Sequence, residues 1–341
     1  MAQDRSTVPH TTMLLAGHLA RRGISRRALL RFALATGAAL AMPPRHGLAM
    51  ARQLARSRRL SVIWLSFQEC TACFESLTRS ADPDIATLLF DVISLDYQHT
   101  LQAAAGFAAE AAREQAMAAN RGQYLLVVDG AVPTGAGGAF STIAGRSNSD
   151  LLAEVASDAA AVLAIGSCAA WGGIPAAAPN PTGAVPISQL VQGKPLANAP
   201  GCPPVPEAIA GLLAHFAAYS TFPALDAELR PTSIYGEVVH EGCPRFPFYQ
   251  QRRFAMSFDD EGAQRGWCLL HLGCRGTQTH NACTRLNWNG VSNPMHSGHG
   301  CLGCAEPDFW DRPGGFYMPI EQRNPPPWRG GRPFSQEEGI P

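Results

Sequence analysis

Apolar positions in the first two thirds of the chain gather into short runs, each closed by polar or turn-forming residues. Residues 61–65, rich in β-branched and aromatic side chains, predict a strand that ends just before Cys70-Thr71-Ala72-Cys73. Further strands are predicted over residues 92–95, 124–129 and 161–165, the last closing on Gly166-Ser167-Cys168. Between them the spacing turns helical. Asp82-Pro83-Asp84 offers an N-cap and a proline at the first helical position for residues 85–90, and residues 101–119 and 151–159 carry two more helical patterns. Strands alternating with helices predict an α/β unit with a doubly wound parallel sheet. Ligands of such sheets gather beyond the carboxyl ends of the strands. Cys70, Cys73 and Cys168 all stand there.

After about Leu229 the pattern changes. Long periodic stretches vanish while Gly, Pro, aromatics and cysteines become denser, so residues 230–320 are expected to form a loop-rich domain ordered more by metal sites than by regular structure. Residues 57–229 would hold the sheet, and residues 321–341 form a Pro/Gly-rich tail. With 46% hydrophobic residues over 341 positions, the chain is long and apolar enough for one large or two modest cores. Its 27 Lys and Arg balance 27 Asp and Glu, so no overall field draws it to nucleic acid or an anionic membrane.

The N-terminus decides how the ten cysteines are to be read, because oxidising and reducing compartments favour different cysteine chemistry. Ser25-Arg26-Arg27-Ala28-Leu29-Leu30-Arg31 precedes an apolar run over residues 32–42, a pattern that resembles a twin-arginine signal. The run is about half the roughly 20 residues of a spanning helix. Residues 1–50 are therefore expected to be a signal peptide, with a small-residue cleavage region near Gly47-Leu48-Ala49-Met50-Ala51 and a mature chain of roughly 290 residues. A merely basic amphipathic leader is the alternative. The twin-arginine route carries folded proteins, so metal can reach the cysteines before export. No later apolar segment has spanning length, which makes a location on the periplasmic side of the envelope the expectation, with membrane contact only through a partner.

The cysteines sort into three groups. Cys70, Cys73, Cys168 and Cys202 give four thiolates, two of them in C-x-x-C spacing, enough for a cubane cluster or for zinc. His240, Cys243, Cys268 and Cys274 form a second set, in which His240 gains weight from standing three residues before a cysteine. Cys283, Cys301 and Cys304 are one ligand short of a full set. A secreted protein stapled by five disulfides, a zinc module and a free-standing ferredoxin-like carrier remain alternatives at this point.

The order E-C-T-x-C-x-E-S, G-S-C, G-C-P-P, H-x-x-C, C-x5-C and C-x17-C-x-x-C resembles the small subunit of nickel-iron hydrogenases from about Ser61 to Ile320, and it uses every cysteine. The resemblance implies a flavodoxin-like sheet domain followed by a loop-rich iron-sulfur domain. It also implies a proximal 4Fe-4S cluster on Cys70, Cys73, Cys168 and Cys202, and a distal 4Fe-4S cluster on His240, Cys243, Cys268 and Cys274. A medial 3Fe-4S cluster would lie on Cys283, Cys301 and Cys304, with Pro294 where a fourth cysteine would otherwise stand. Ala72 and Gly173 occupy positions where oxygen-tolerant relatives carry extra cysteines, so that specialised cluster is not expected. Ala72 also replaces the family's usual glycine, and Thr277, Thr284 and Gly300 replace prolines. Neither C-x-x-C pair has the surroundings of nickel ligands, so hydrogen activation is expected in a large-subunit partner. Electrons would leave near His240 to a cytochrome or other acceptor. Glu75 resembles a family carboxylate that assists proton movement, although a helix-start glutamate would look the same.

Overall fold

The computed structural model describes residues 14–311. Its centre is a sheet of five parallel strands, β1 (Leu60–Ser66), β2 (Ile93–Tyr97), β3 (Leu125–Asp129), β4 (Ala161–Ile165) and β5 (Leu196–Ala199), in the order β2-β1-β3-β4-β5. This is the flavodoxin order, in which the chain first winds one way from β1 and then returns to continue on its other side. The strands are apolar nearly without alternation because both faces of the sheet are covered. Val62 and Trp64 belong to the core on one face, Ile63 and Leu65 to the core on the other.

Four of the strands fall where the apolar runs placed them, with shifted ends. β2 runs to Tyr97 rather than stopping at residue 95. The helix expected from residue 101 begins at Phe107, because Gly106, with φ of 55°, sits in a left-handed conformation that no helix continues through. The cap of the short helix Ile85–Thr87 is Asp84, whose carboxylate accepts from the Thr87 N–H at 2.8 Å; Pro83 lies before that cap and not at the first helical position. β5 escaped the sequence reading. Leu196-Ala197-Asn198-Ala199 has low β propensity, and pairing with β4 makes it a strand.

Two further features stand out against the expectations. The helix Pro206–Tyr219 is buried at every residue from Pro206 to Ala218. The expected leader does not lie apart from the core: Leu29, Phe32 and Ala33 of the helix Arg26–Ala39, Leu40 just after it, and Met50 of the helix Pro44–Arg56, which runs past the leader's expected end and also buries Leu54, join the same apolar cluster as that helix. Residues 1–13 of the expected leader lie outside the described residues, as do residues 312–320 and the tail 321–341. From 230 to 311 the chain forms helical segments of at most five residues, in keeping with the expected loop-rich region. Among the described residues no helix is long and apolar enough to cross a membrane.

Candidate functional site

The first cysteine group collects beyond the carboxyl ends of three strands. Cys70 follows β1, Cys168 follows β4 on the helix Gly166–Trp171, and Cys202 follows β5. Cys73 lies in the first turn of the helix Ala72–Thr78, entered through Thr71 at a φ of 65°. Glycine makes the approach possible. Gly166 has φ of +83°, and a Cβ there would stand 2.3 Å from the Cys73 sulfur; a Cβ on Gly173 would stand 2.6 Å from that of Cys168. Burial pushes the Cys73 thiol up, with nearby Asp129 adding to it, and burial pushes Cys168 up to about 12. Such sulfurs stay protonated unless a metal takes the proton's place. Cys70 and Cys202 are exposed, so the group opens to the surface.

The third group is enclosed. Cys283, Cys301 and Cys304 line one small cavity together with Pro294, Asn281, Thr279 and Cys202. Pro294 thus stands beside the three thiols and offers them no ligand. Burial pushes Cys283 up to about 12 and raises Cys301 and Cys304 as well.

In the second group the Nε2 atom of His240 is buried without a hydrogen-bond partner. Tyr249 and Phe246 stand edge-on to its ring, at 4.5 and 5.1 Å between centroids. Burial lowers the pKa of this imidazole, which favours the neutral form that ligates metal. Cys268 and Cys274 are buried and Cys243 is half-buried, its sulfur accepting from the Arg245 N–H at 3.4 Å.

Hydrogen bonds join the three groups in a spatial order that differs from their order in sequence. Cys202 lines the cavity of Cys283, Cys301 and Cys304, which brings the first group against the third. Ser167 reinforces that link, its hydroxyl donating to the Cys304 carbonyl and accepting from the Gly201 N–H at 3.0 Å. The Cys301 N–H donates to the Cys274 sulfur at 3.2 Å, linking the third group to the second. All ten cysteines are free, which removes the disulfide alternative. Four thiols in the first group, and three thiols with one imidazole in the second, are donor sets that an iron-sulfur cluster accepts.

Glu75 is exposed in the first turn of its helix and pairs with Arg79 at 2.5 Å. Two features escaped the sequence reading. Asp129, at the end of β3, is buried and accepts from the Trp64 Nε1–H at 3.0 Å; burial pushes its carboxyl up to about 7. An acidic residue closing a fully apolar strand was the available signal. Arg230 donates to both carboxylate oxygens of Glu306 at 3.2 Å and to Asp226 at 2.8 Å, while Glu306 also accepts from the His280 N–H. Nothing in the local sequence announced that long-range network.

Comparison with known proteins gives a family for this geometry. Residues 235–317 match the family model of the C-terminal part of the NiFe/NiFeSe hydrogenase small subunit, and residues 70–216 match that of the NADH ubiquinone oxidoreductase 20 Kd subunit. The uptake hydrogenase small subunit of Azotobacter vinelandii is 43% identical over 298 residues, 87% of this chain and 83% of that protein. The periplasmic [NiFe] hydrogenase small subunit 1 of Nitratidesulfovibrio vulgaris is 42% identical over 301 residues, 88% and 95% of the two chains. The crystal structure of a reduced, active Ni-Fe-Se hydrogenase from Desulfomicrobium baculatum superposes with a TM-score of 0.72 at 33% identity, covering 76% of this chain and 99% of that one.

Proposed function

The chain belongs to the small subunits of nickel-iron hydrogenases, electron-transfer subunits that carry iron-sulfur clusters and pair with the nickel-iron large subunit; on that footing we propose the route its electrons take and the residues that hold it. Cys70, Cys73, Cys168 and Cys202 hold the proximal 4Fe-4S cluster, at the surface where the large subunit docks. Cys283, Cys301 and Cys304 hold a medial 3Fe-4S cluster, and His240, Cys243, Cys268 and Cys274 hold a distal 4Fe-4S cluster. The clusters supply one-electron carriage at potentials tuned by their ligands and burial.

One observation carries this reading: the third cysteine group lies between the first and the second, sharing a cavity with Cys202 on one side and bonded to Cys274 on the other. The middle position thus falls to the set with three thiols and Pro294. What the protein does is enclose the sulfurs of the medial group, aim N–H groups at Cys243 and Cys274, and leave His240 flanked by Tyr249 and Phe246 at the far end. Electrons from dihydrogen oxidation in the large subunit enter beside Cys70 and leave near His240 to a cytochrome or another external acceptor. Glu75, exposed near the proximal end, serves a proton path at the subunit boundary. Glu75→Gln should then slow hydrogen turnover and leave reduction of this chain by a chemical reductant unchanged; equal slowing of both would reduce Glu75 to a helix-start residue.

The deciding experiment is anaerobic purification of the heterodimer with metal analysis and electron paramagnetic resonance. It should give about eleven irons for this chain, summed over two four-iron clusters and one three-iron cluster, with a 3Fe-4S signal on oxidation. A chain with about twelve irons and no such signal would remove the medial assignment. The same reading places the protein on the periplasmic side after twin-arginine export. Arg26 and Arg27 are exposed at the start of a helix that Ser25 caps by accepting from the Ala28 N–H at 3.2 Å. Replacing both arginines with lysine should abolish export in a cell-fractionation assay.

A further inference from the structure

We propose that the leader helices are also a cover, folded back onto their own protein, which hides the apolar part of the export signal and shields the helix Pro206–Tyr219 until they lift away. This rests on the export reading above for its biological sense, but the docking stands on separate observations. A helix apolar on all sides must be enclosed on all sides. The sheet side chains Val62, Trp64, Leu125 and Val127 share one apolar cluster with Pro206–Tyr219. The helices Arg26–Ala39 and Pro44–Arg56 enclose one face of it, close enough that a Cβ on Gly211 would meet the Leu40 side chain at 3.1 Å.

The leader contact is built like the interior of a domain. Phe32, Ala33, Leu40, Met50 and Leu54 are each at most 4% exposed. The two leader helices cross at glycine: a Cβ on Gly47 would lie 3.0 Å from the Leu34 Cα, and one on Gly37 would lie 3.4 Å from Gly47. Thr36, fully buried, satisfies its hydroxyl by donating to the Phe32 carbonyl at 2.9 Å. Latches hold both ends. Arg285 donates to the carbonyls of Ala38 and Ala39 at 3.2 Å each, placing a cation at the negative end of the helix Arg26–Ala39. At the other end Arg22 donates to the buried Asp91 carboxylate at 3.2 Å, and His18 lies 3.3 Å from it.

The functional consequence follows from which face is buried. Arg26, Arg27 and Arg31 are exposed, whereas Leu29, Phe32 and Ala33 of the run beside them are not. A receptor that needs both the arginines and the apolar run cannot engage the docked leader. Release opens the apolar groove over Gly211, which the free chain would otherwise show to water.

Hydrogen–deuterium exchange on the anaerobically purified full-length chain tests this. Amides of residues 29–40 and 47–54 should exchange at least about 100-fold more slowly than in the free peptide 25–56, in step with residues 206–219. Exchange as fast as the free peptide overturns the proposal. Gly47→Leu should abolish that protection and raise binding of an apolar dye, with the strand amides 125–129 still protected. Arg285→Ala, which lies outside the leader, should speed exchange at residues 36–40 by about tenfold; no change there refutes the latch. The arms separate the two readings. If the lysine pair at 26 and 27 leaves export intact while protection is observed, the export reading fails and the docking stands. If export is blocked but residues 29–40 are unprotected, the cover fails and the signal stands.

Discussion

The sheet unit and the region from 230 to 311 are built on different physical grounds although both carry cysteine sites. In the sheet, β1, β3 and β4 are buried over almost their full lengths, and each is braced by apolar side chains on both faces. Burying one such Val, Leu or Ile contributes about 1.5–3 kcal/mol, so the unit has its stability before any metal arrives. The later region has no helix beyond five residues, and its own apolar cluster, around Val239, Leu269 and Met295, includes Cys274 and Cys301 themselves. There the would-be ligands are the core. Apolar pattern can therefore specify the first region alone, while for the second the proposed clusters would close its loops.

The sharpest way to break this contrast is to remove the iron. Chelation under reducing conditions should cost residues 230–311 most of their exchange protection while the amides of β3 and β4 keep theirs. Equal loss in both regions would show that the sheet unit depends on its metal too. A more local test is Gly166→Ala, where the added methyl would stand 2.3 Å from the Cys73 sulfur at a φ of +83°. We expect loss of the proximal cluster alone, about four of eleven irons by analysis; retention of all would mean that the loop yields easily.

The same contrast explains what could be read from sequence. Four of five strands were legible because Val, Ile and Leu runs closed by turns carry the signal locally. β5 was not, since Leu196-Ala197-Asn198-Ala199 becomes a strand only by its place beside β4. Spacing and family resemblance proposed three donor sets, but the contacts that order them, of Ser167 with Cys304 and of Cys301 with Cys274, join residues 137 and 27 positions apart. The packing of the expected leader was not legible either. An apolar run after paired arginines looks the same in sequence whether or not it packs on a distant helix, and only the fold shows that Phe32 and Leu40 share a cluster with Leu212.

Where the two regions meet, Arg230 joins Asp226 to Glu306, with side-chain exposures of 6% for Arg230 and 9% for Glu306. Arg230→Met leaves the Glu306 carboxylate buried without its cation. A loss of about 3–5 kcal/mol is the expectation for breaking such a pair, read as a lowered thermal midpoint with exchange rising first around residues 280–306. A loss confined to residues 226–230 would show that the network braces a turn rather than the junction.

The smallest effect expected concerns Asp129, on the sheet side. Burial raises its carboxyl to about 7, so the folded chain holds a proton there that the unfolded chain, with an ordinary carboxylate, gives up near pH 4. A raised acid favours the folded state at low pH, and that contribution is lost as pH rises through about 7. Between pH 6 and pH 8 one such proton amounts to about 1.4 kcal/mol of lost stability. Asp129→Asn keeps a neutral group with an oxygen for the Trp64 indole N–H, so it should flatten that slope while changing stability little at pH 6. Thermal midpoints of wild type and variant at the two pH values decide the matter: parallel slopes would mean that Asp129 is ionised throughout, and that a neighbouring charge, not the apolar sheet, governs this end of β3.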